Sequence, residues 1–119
     1  MIRVELAWPN KVLSPNARPH FMVLSNAKKA AKEEANWATR IGRGHRKIEH
    51  DGVSDIILRQ IAHPPDKRDR DRDNLDHALK AARDGIAMAL GINDKHFRPT
   101  GIEWGEVVRG GKVVIEVIL

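Results

Sequence analysis

Nine of the eleven residues from Asp66 to Asp76 are charged: five Asp, three Arg and one Lys, nearly alternating in sign. A run this dense cannot enter a core, because each buried charge would lose its hydration without a matched partner. It therefore splits the chain into core-forming parts before and after it. On its N-terminal side, Val53 to His63 is rich in Ile, Val and Leu and ends at Pro64-Pro65, which predicts a strand that stops where the charges begin. On its C-terminal side, Asp73 or Asn74 caps a helix that ends near Leu90-Gly91.

The remaining elements follow from periodicity. Residues 2 to 7 alternate apolar and polar, as a half-buried strand does, and Trp8-Pro9 closes them. Residues 10 to 20 read as a loop. From Ser25 or Asn26 a helix runs to about Ile41, where Gly42 and Gly44 stop it; its thin apolar stripe is Ala27, Ala31, Ala35, Ala38 and Ile41, with Trp37 expected in the core. The tail from Ile102 to Leu119 carries two β-rich arms around Gly110-Gly111, which predicts a hairpin.

The expected architecture is one α/β domain over residues 1–119, mixed α+β in character. Its elements run strand, helix, strand, helix, hairpin, around a four-stranded mixed sheet. A chain of 119 residues buries roughly two thirds of its unfolded surface, enough for an unstapled core. There is no cysteine, no apolar run of ~20 residues and no basic-then-apolar start, so no disulfide scaffold or membrane span is expected, and the expected location is cytoplasmic.

The net charge of +5 suggests a polyanionic partner such as nucleic acid. Its distribution sharpens that reading. Between Lys28 and Lys47 stand seven basic residues (Lys28, Lys29, Lys32, Arg40, Arg43, Arg46 and Lys47) against Glu33 and Glu34.

If Arg68 to Asp73 is extended, Asp69, Asp71 and Asp73 point one way and Arg68, Arg70 and Arg72 the other. On the helix that follows, about 100° per residue brings Asp73, His77, Lys80 and Asp84 onto one polar face. A solvated loop followed by an exposed helix face with a Lys80–Asp84 pair would give the same pattern. An EF-hand fails, since its sixth position is Asn74 rather than Gly and its twelfth is Lys80 rather than Glu. Paired carboxylates with a nearby Lys suit metal-assisted phosphodiester hydrolysis: Asp oxygens hold Mg²⁺, and a Lys steadies developing charge. Asp94, just past the helix, is either a further carboxylate of this set or a turn residue. His45, His50, His63 and His96 lack metal-ligand spacing, so Zn²⁺ is not implied.

Pro65-Asp66, Arg70-Asp71-Arg72-Asp73-Asn74-Leu75, Leu79-Lys80, Asp84-Gly85 and Asn93-Asp94 together resemble the RusA-type Holliday-junction resolvases (crossover junction endodeoxyribonucleases). The resemblance is specific over about thirty residues and loose over most of the chain. It implies a Mg²⁺-dependent homodimer, with Mn²⁺ as the alternative ion, that nicks four-way DNA junctions in recombination and repair. It also implies that Asp71, Asp73, Lys80 and Asp94 are the essential groups, with Asp71, Asp73 and Asp94 on the metal. In some members the Lys lies four residues after the second Asp, where this chain has His77, so His77 is the alternative to Lys80. Asn93 stands where many members have the first Asp of a pair. Candidate DNA contacts are Arg68, Arg70, Arg72, Asn16, Arg18 and His20. Two other functions share these features, a non-catalytic basic DNA-binding protein and a nuclease without junction preference.

Overall fold

The computed structural model describes residues 1–119. Strand β1 (Ile2–Ala7) is followed by a 3₁₀ turn at Lys11–Leu13 and helix α1 (Phe21–Arg43). Then come strand β2 (Ile56–His63), helices α2 (Arg72–Ala78) and α3 (Lys80–Leu90), and strands β3 (Phe97–Trp104) and β4 (Lys112–Ile118). The strands form one four-stranded mixed sheet, as expected, in the order β1-β4-β2-β3.

Strand register explains the core. The rows Ile2–Val117–Leu58, Val4–Ile115–Gln60 and Leu6–Val113–Ala62 share one face, and every member is buried. Alternate residues form the other face, where Arg3 pairs with Glu5, and Arg59 reaches Glu103 at 2.6 Å and Glu116 at 3.0 Å. The buried face packs against Ala35 of α1, Leu75 of α2, and Leu79, Ala82 and Ile86 along α3. Two layers thus bury a single core.

The closing hairpin is not formed. β4 pairs antiparallel with both β1 and β2, while β3 pairs parallel with β2 on its far side. Val113, Val114, Ile115 and Val117 are all buried, so β4 gains most from a central place with neighbours on both sides. The chain therefore crosses over the end of β2, held by the Gly105 N–H on the Ala62 carbonyl at 2.8 Å and the Val108 N–H on the Pro64 carbonyl at 3.0 Å. Gly110-Gly111 still makes the turn, both residues with positive φ.

Helix limits also differ from expectation. α1 starts at Phe21 rather than Ser25 or Asn26, because the His20 ring accepts the Met22 N–H at 3.2 Å and serves as the cap. Phe21, Met22 and Val23 are exposed, so no apolar periodicity marked this first turn. Trp37, expected in the core, is 67% exposed, and Ile41 is exposed too; Ala35 and Thr39 are the residues α1 buries. The second helix is broken at Leu79 into α2 and α3, and its cap is Asp71, whose carboxylate accepts the Asn74 N–H at 3.0 Å. Gly91 ends α3 in the left-handed conformation, as expected.

α1 and α3 approach so closely that a Cβ on Gly85 would stand 2.2 Å from the Lys32 carbonyl oxygen and 3.0 Å from Ala35 Cβ. Gly85→Ala is expected to destabilise the fold by about 1–3 kcal/mol despite the better helix propensity of Ala. Urea denaturation measures this, and an unchanged midpoint would contradict the close approach.

Candidate nucleic-acid interface

β1 and β2 both run antiparallel to β4, and β3 runs parallel to β2, so β1, β2 and β3 share a direction. Their C-terminal ends lie together, and this end of the sheet gathers Trp8, His63, Trp104 and the charged loop after Pro65. The loop is folded on itself rather than extended. The Asp66 carboxylate accepts the Arg68 N–H at 3.0 Å and Arg70 Nη2 at 2.8 Å, while Arg70 Nη1 donates to the Asp66 and Arg68 carbonyls. The Arg70 guanidinium also sits 5.5 Å from the Trp8 ring centre.

This arrangement changes several expected roles. Arg70 is only 17% exposed and is engaged on Asp66 and Trp8, so it is a clamp for the loop and not a free phosphate contact. Arg72 lies inside α2, so the two-sided alternation over residues 68 to 73 is lost. Arg68 and Arg72 remain exposed, as do Asn16 and Arg18, whereas the His20 ring is used in capping α1.

The four residues singled out for catalysis do not converge in one chain. Asp71 and Asp73 stand at the start of α2, at the C-terminal end of β2, while Asp94 opens the 3₁₀ turn before β3 at the opposite end of the sheet. A parallel crossover requires this: α2 and α3 carry the chain back to where β3 can start alongside β2. β2 has eight residues, so the two ends are roughly 25 Å apart at a strand's rise. No three His, Cys, Asp or Glu side chains come together as a metal site, and Asp94 stands apart from Asp71 and Asp73 instead of joining them as expected. Asn93 caps the 3₁₀ turn through the Lys95 N–H at 2.9 Å.

The polar face of the second helix is assembled despite the break. His77, Lys80 and Asp84 line one groove of about 620 Å³, with Lys28, Lys29 and Lys32 of α1 opposite and Leu13 and Ala78 between. Lys80 Nζ lies 3.6 Å from Asp84 Oδ1. Four lysines thus face one carboxylate across a concave surface, and α1 supplies three of them from the basic stretch noted in the sequence. Asp73 precedes His77 by one helical turn, so the acidic start of α2 adjoins the groove.

Sequence reasoning missed the group that holds this face in place. Gln60, fully buried on β2, donates from Nε2 to Asp76 Oδ1 at 2.8 Å and to the Thr100 carbonyl at 2.8 Å, and its Oε1 accepts from Arg83 at 2.7 Å. Arg83 also reaches the Asp76 carboxylate and carbonyl, both at 3.2 Å. The one available signal was a Gln on the inward alternation of Ile56, Leu58 and Ala62, which must find partners if buried.

Over 118 residues the chain is 38% identical to an uncharacterized protein of Xylella fastidiosa, a match that covers 98% of this chain and 76% of the other. The two belong to one family. No family model matches the chain. No helix is long and apolar enough to cross a membrane.

The Asp66 carboxyl is held below the usual carboxylate range, first by the Arg68 N–H and then by the Arg70 guanidinium. A carboxylate so depressed contributes stability above its ordinary pKa and loses it as pH falls through the lowered value. Acidification below the ordinary carboxylate range is therefore expected to release Arg70 from the loop, followed as a shift of the Trp8 indole resonance. Asp66→Asn should give the released position already at neutral pH.

Proposed function

We propose that the protein binds DNA along the groove between α1 and α3 and cleaves it as a Mg²⁺-dependent endonuclease directed at four-way junctions. The observation that carries this reading is the groove itself, with four lysines facing one carboxylate beside the Asp71–Asp73 pair. Such a surface suits a phosphodiester backbone, whose binding is driven by neutralised phosphates and released counterions. The order of motifs shared with the RusA-type resolvases supports the junction preference.

Asp71 and Asp73 fit a hard cation. Mg²⁺ is held by one or two carboxylates, retains several waters and takes further oxygens from a phosphate, so the pair is a sufficient protein contribution without Asp94. When bound, the ion would polarise the phosphodiester and lower the pKa of a coordinated water. The protein's own groups hold the strand: Lys28, Lys29 and Lys32 neutralise phosphates along one wall, and Lys80, tethered by Asp84, offers a cation on the other. His77 lies in the same groove and stands as the alternative to Lys80. A homodimer would match the two-fold symmetry of a junction and give paired nicks.

A second reading, DNA binding without cleavage, has one observation in its favour: the Asp71 carboxylate already caps α2. The variants separate the two. Asn caps a helix as well as Asp does, so Asp71→Asn keeps the fold and removes only the charge. With a synthetic four-way junction and Mg²⁺, nicking by Asp71→Asn and by Asp73→Asn should fall by roughly 10²-fold or more while junction binding persists. No nicking by the unmodified protein would reject the endonuclease and leave the binding reading. Lys32→Ala should lower the slope of log affinity against log salt by about 1 on any DNA.

A further inference from the structure

An apolar cavity of about 290 Å³ lies between the end of β1, α1 and the α2–α3 break, next to the basic groove. Leu13 and Ala78 line both. Along α1 the two alternate residue by residue, with Ala27 and Ala31 on the cavity and Lys28 and Lys32 on the groove. We propose that this cavity receives one unpaired nucleobase of the strand whose phosphates lie on the groove lysines. The proposal rests on the nucleic-acid reading of the groove and is independent of cleavage.

Size and lining favour a flat heterocycle. The volume is near the lower limit of the ~300–1,000 Å³ typical of small-molecule sites, and Ala27, Ala30, Ala31, Ala78 and Ala82 leave room where larger side chains would close it. Trp8 lies at the wall, packed against Gly111 and Arg70. A Cβ on Gly111 would come within 2.9 Å of it, and Arg70 covers its ring. A fixed aromatic wall offers a stacking surface with little ordering cost.

Glu34 gives the cavity its polarity. Its Oε1 accepts the Ala7 N–H at 2.9 Å, which leaves Oε2 for a donor from the ligand. A carboxylate acceptor suits a base with an exocyclic amino group, which offers two N–H donors, whereas thymine offers only its ring N3–H. A base in continuous duplex is stacked and paired, so the occupant is an unpaired base, of the kind found where strands exchange or bulge.

The test uses 5′-dAMP, 5′-dTMP and deoxyribose 5-phosphate as probes of the full chain, with the Trp8 indole and alanine methyl resonances as readout. dAMP should move the Trp8, Ala27 and Ala31 signals, dTMP less, and the sugar phosphate should not. Glu34→Gln retains an oxygen for the Ala7 N–H and places an amide donor beside it, so the preference should turn toward dTMP. In binding assays, a duplex with one bulged adenine should bind about tenfold more tightly than the fully paired duplex. Ala31→Leu should erase that difference at unchanged affinity for the paired form, with thermal melting confirming its fold. Equal, salt-dependent binding of both duplexes would overturn the base site and leave the groove reading standing. No binding of either duplex would overturn both.

Discussion

The buried amide of Gln60 is the point from which the functional side of the molecule hangs. It lies in the middle of β2, without exposure, and bonds Asp76 on α2, Arg83 on α3 and Thr100 on β3. Leaving the Gln60 amide unpaired in the core would cost about 1–3 kcal/mol, so its burial holds these partners to it. Arg83 also bonds the Asp76 carbonyl, close to Leu79, where α2 gives way to α3. A side chain drawn into the helical ladder in this way is a recognised cause of a kink. The result is that His77 before the break and Lys80 and Asp84 after it still line one groove.

Close approach of α1 completes the groove. Gly85 removes the side chain that would otherwise hold the helices apart, and Gly42 does the same where α1 crosses β1, since a Cβ there would stand 2.3 Å from the Arg3 carbonyl oxygen. With the two helices this close, the lysines of α1 stand across from Lys80 of α3 instead of facing only solvent. The same packing leaves the alanine-lined cavity under Trp8.

Much of this was legible along the chain. The single α/β domain, the four-stranded mixed sheet, β1, the end of β2 at the prolines and the Gly91 stop all follow from patterns within a few residues. So did the shared face of His77, Lys80 and Asp84, because helical periodicity survives a local break. The failures were of two kinds. Val107-Val108 and Val113-Val114 around Gly-Gly satisfied every local rule for a hairpin, yet strand order is decided by which strand most needs two neighbours, and β4 took the central place. Trp37 was expected inside because it is large and apolar, but it lies on the outer side of a helix whose contact is made by Ala35 and Thr39.

The charges show the same division. Sequence alone determined that Asp66 to Asp76 stays out of the core, that the lysines of α1 outnumber its acids, and that a polar stripe runs down the second helix. These depend on hydration and on periodicity, both local properties. Only the tertiary structure decided that Arg70 turns back onto Asp66 and Trp8, and that α1 faces α3 across a basic groove. It also decided that Asp94 lies a strand's length from Asp71 and Asp73. The last is set by the parallel pairing of β2 and β3, which sends the intervening helices back along the sheet; residues joined by a crossover are separated in space however closely their motif is spaced in sequence.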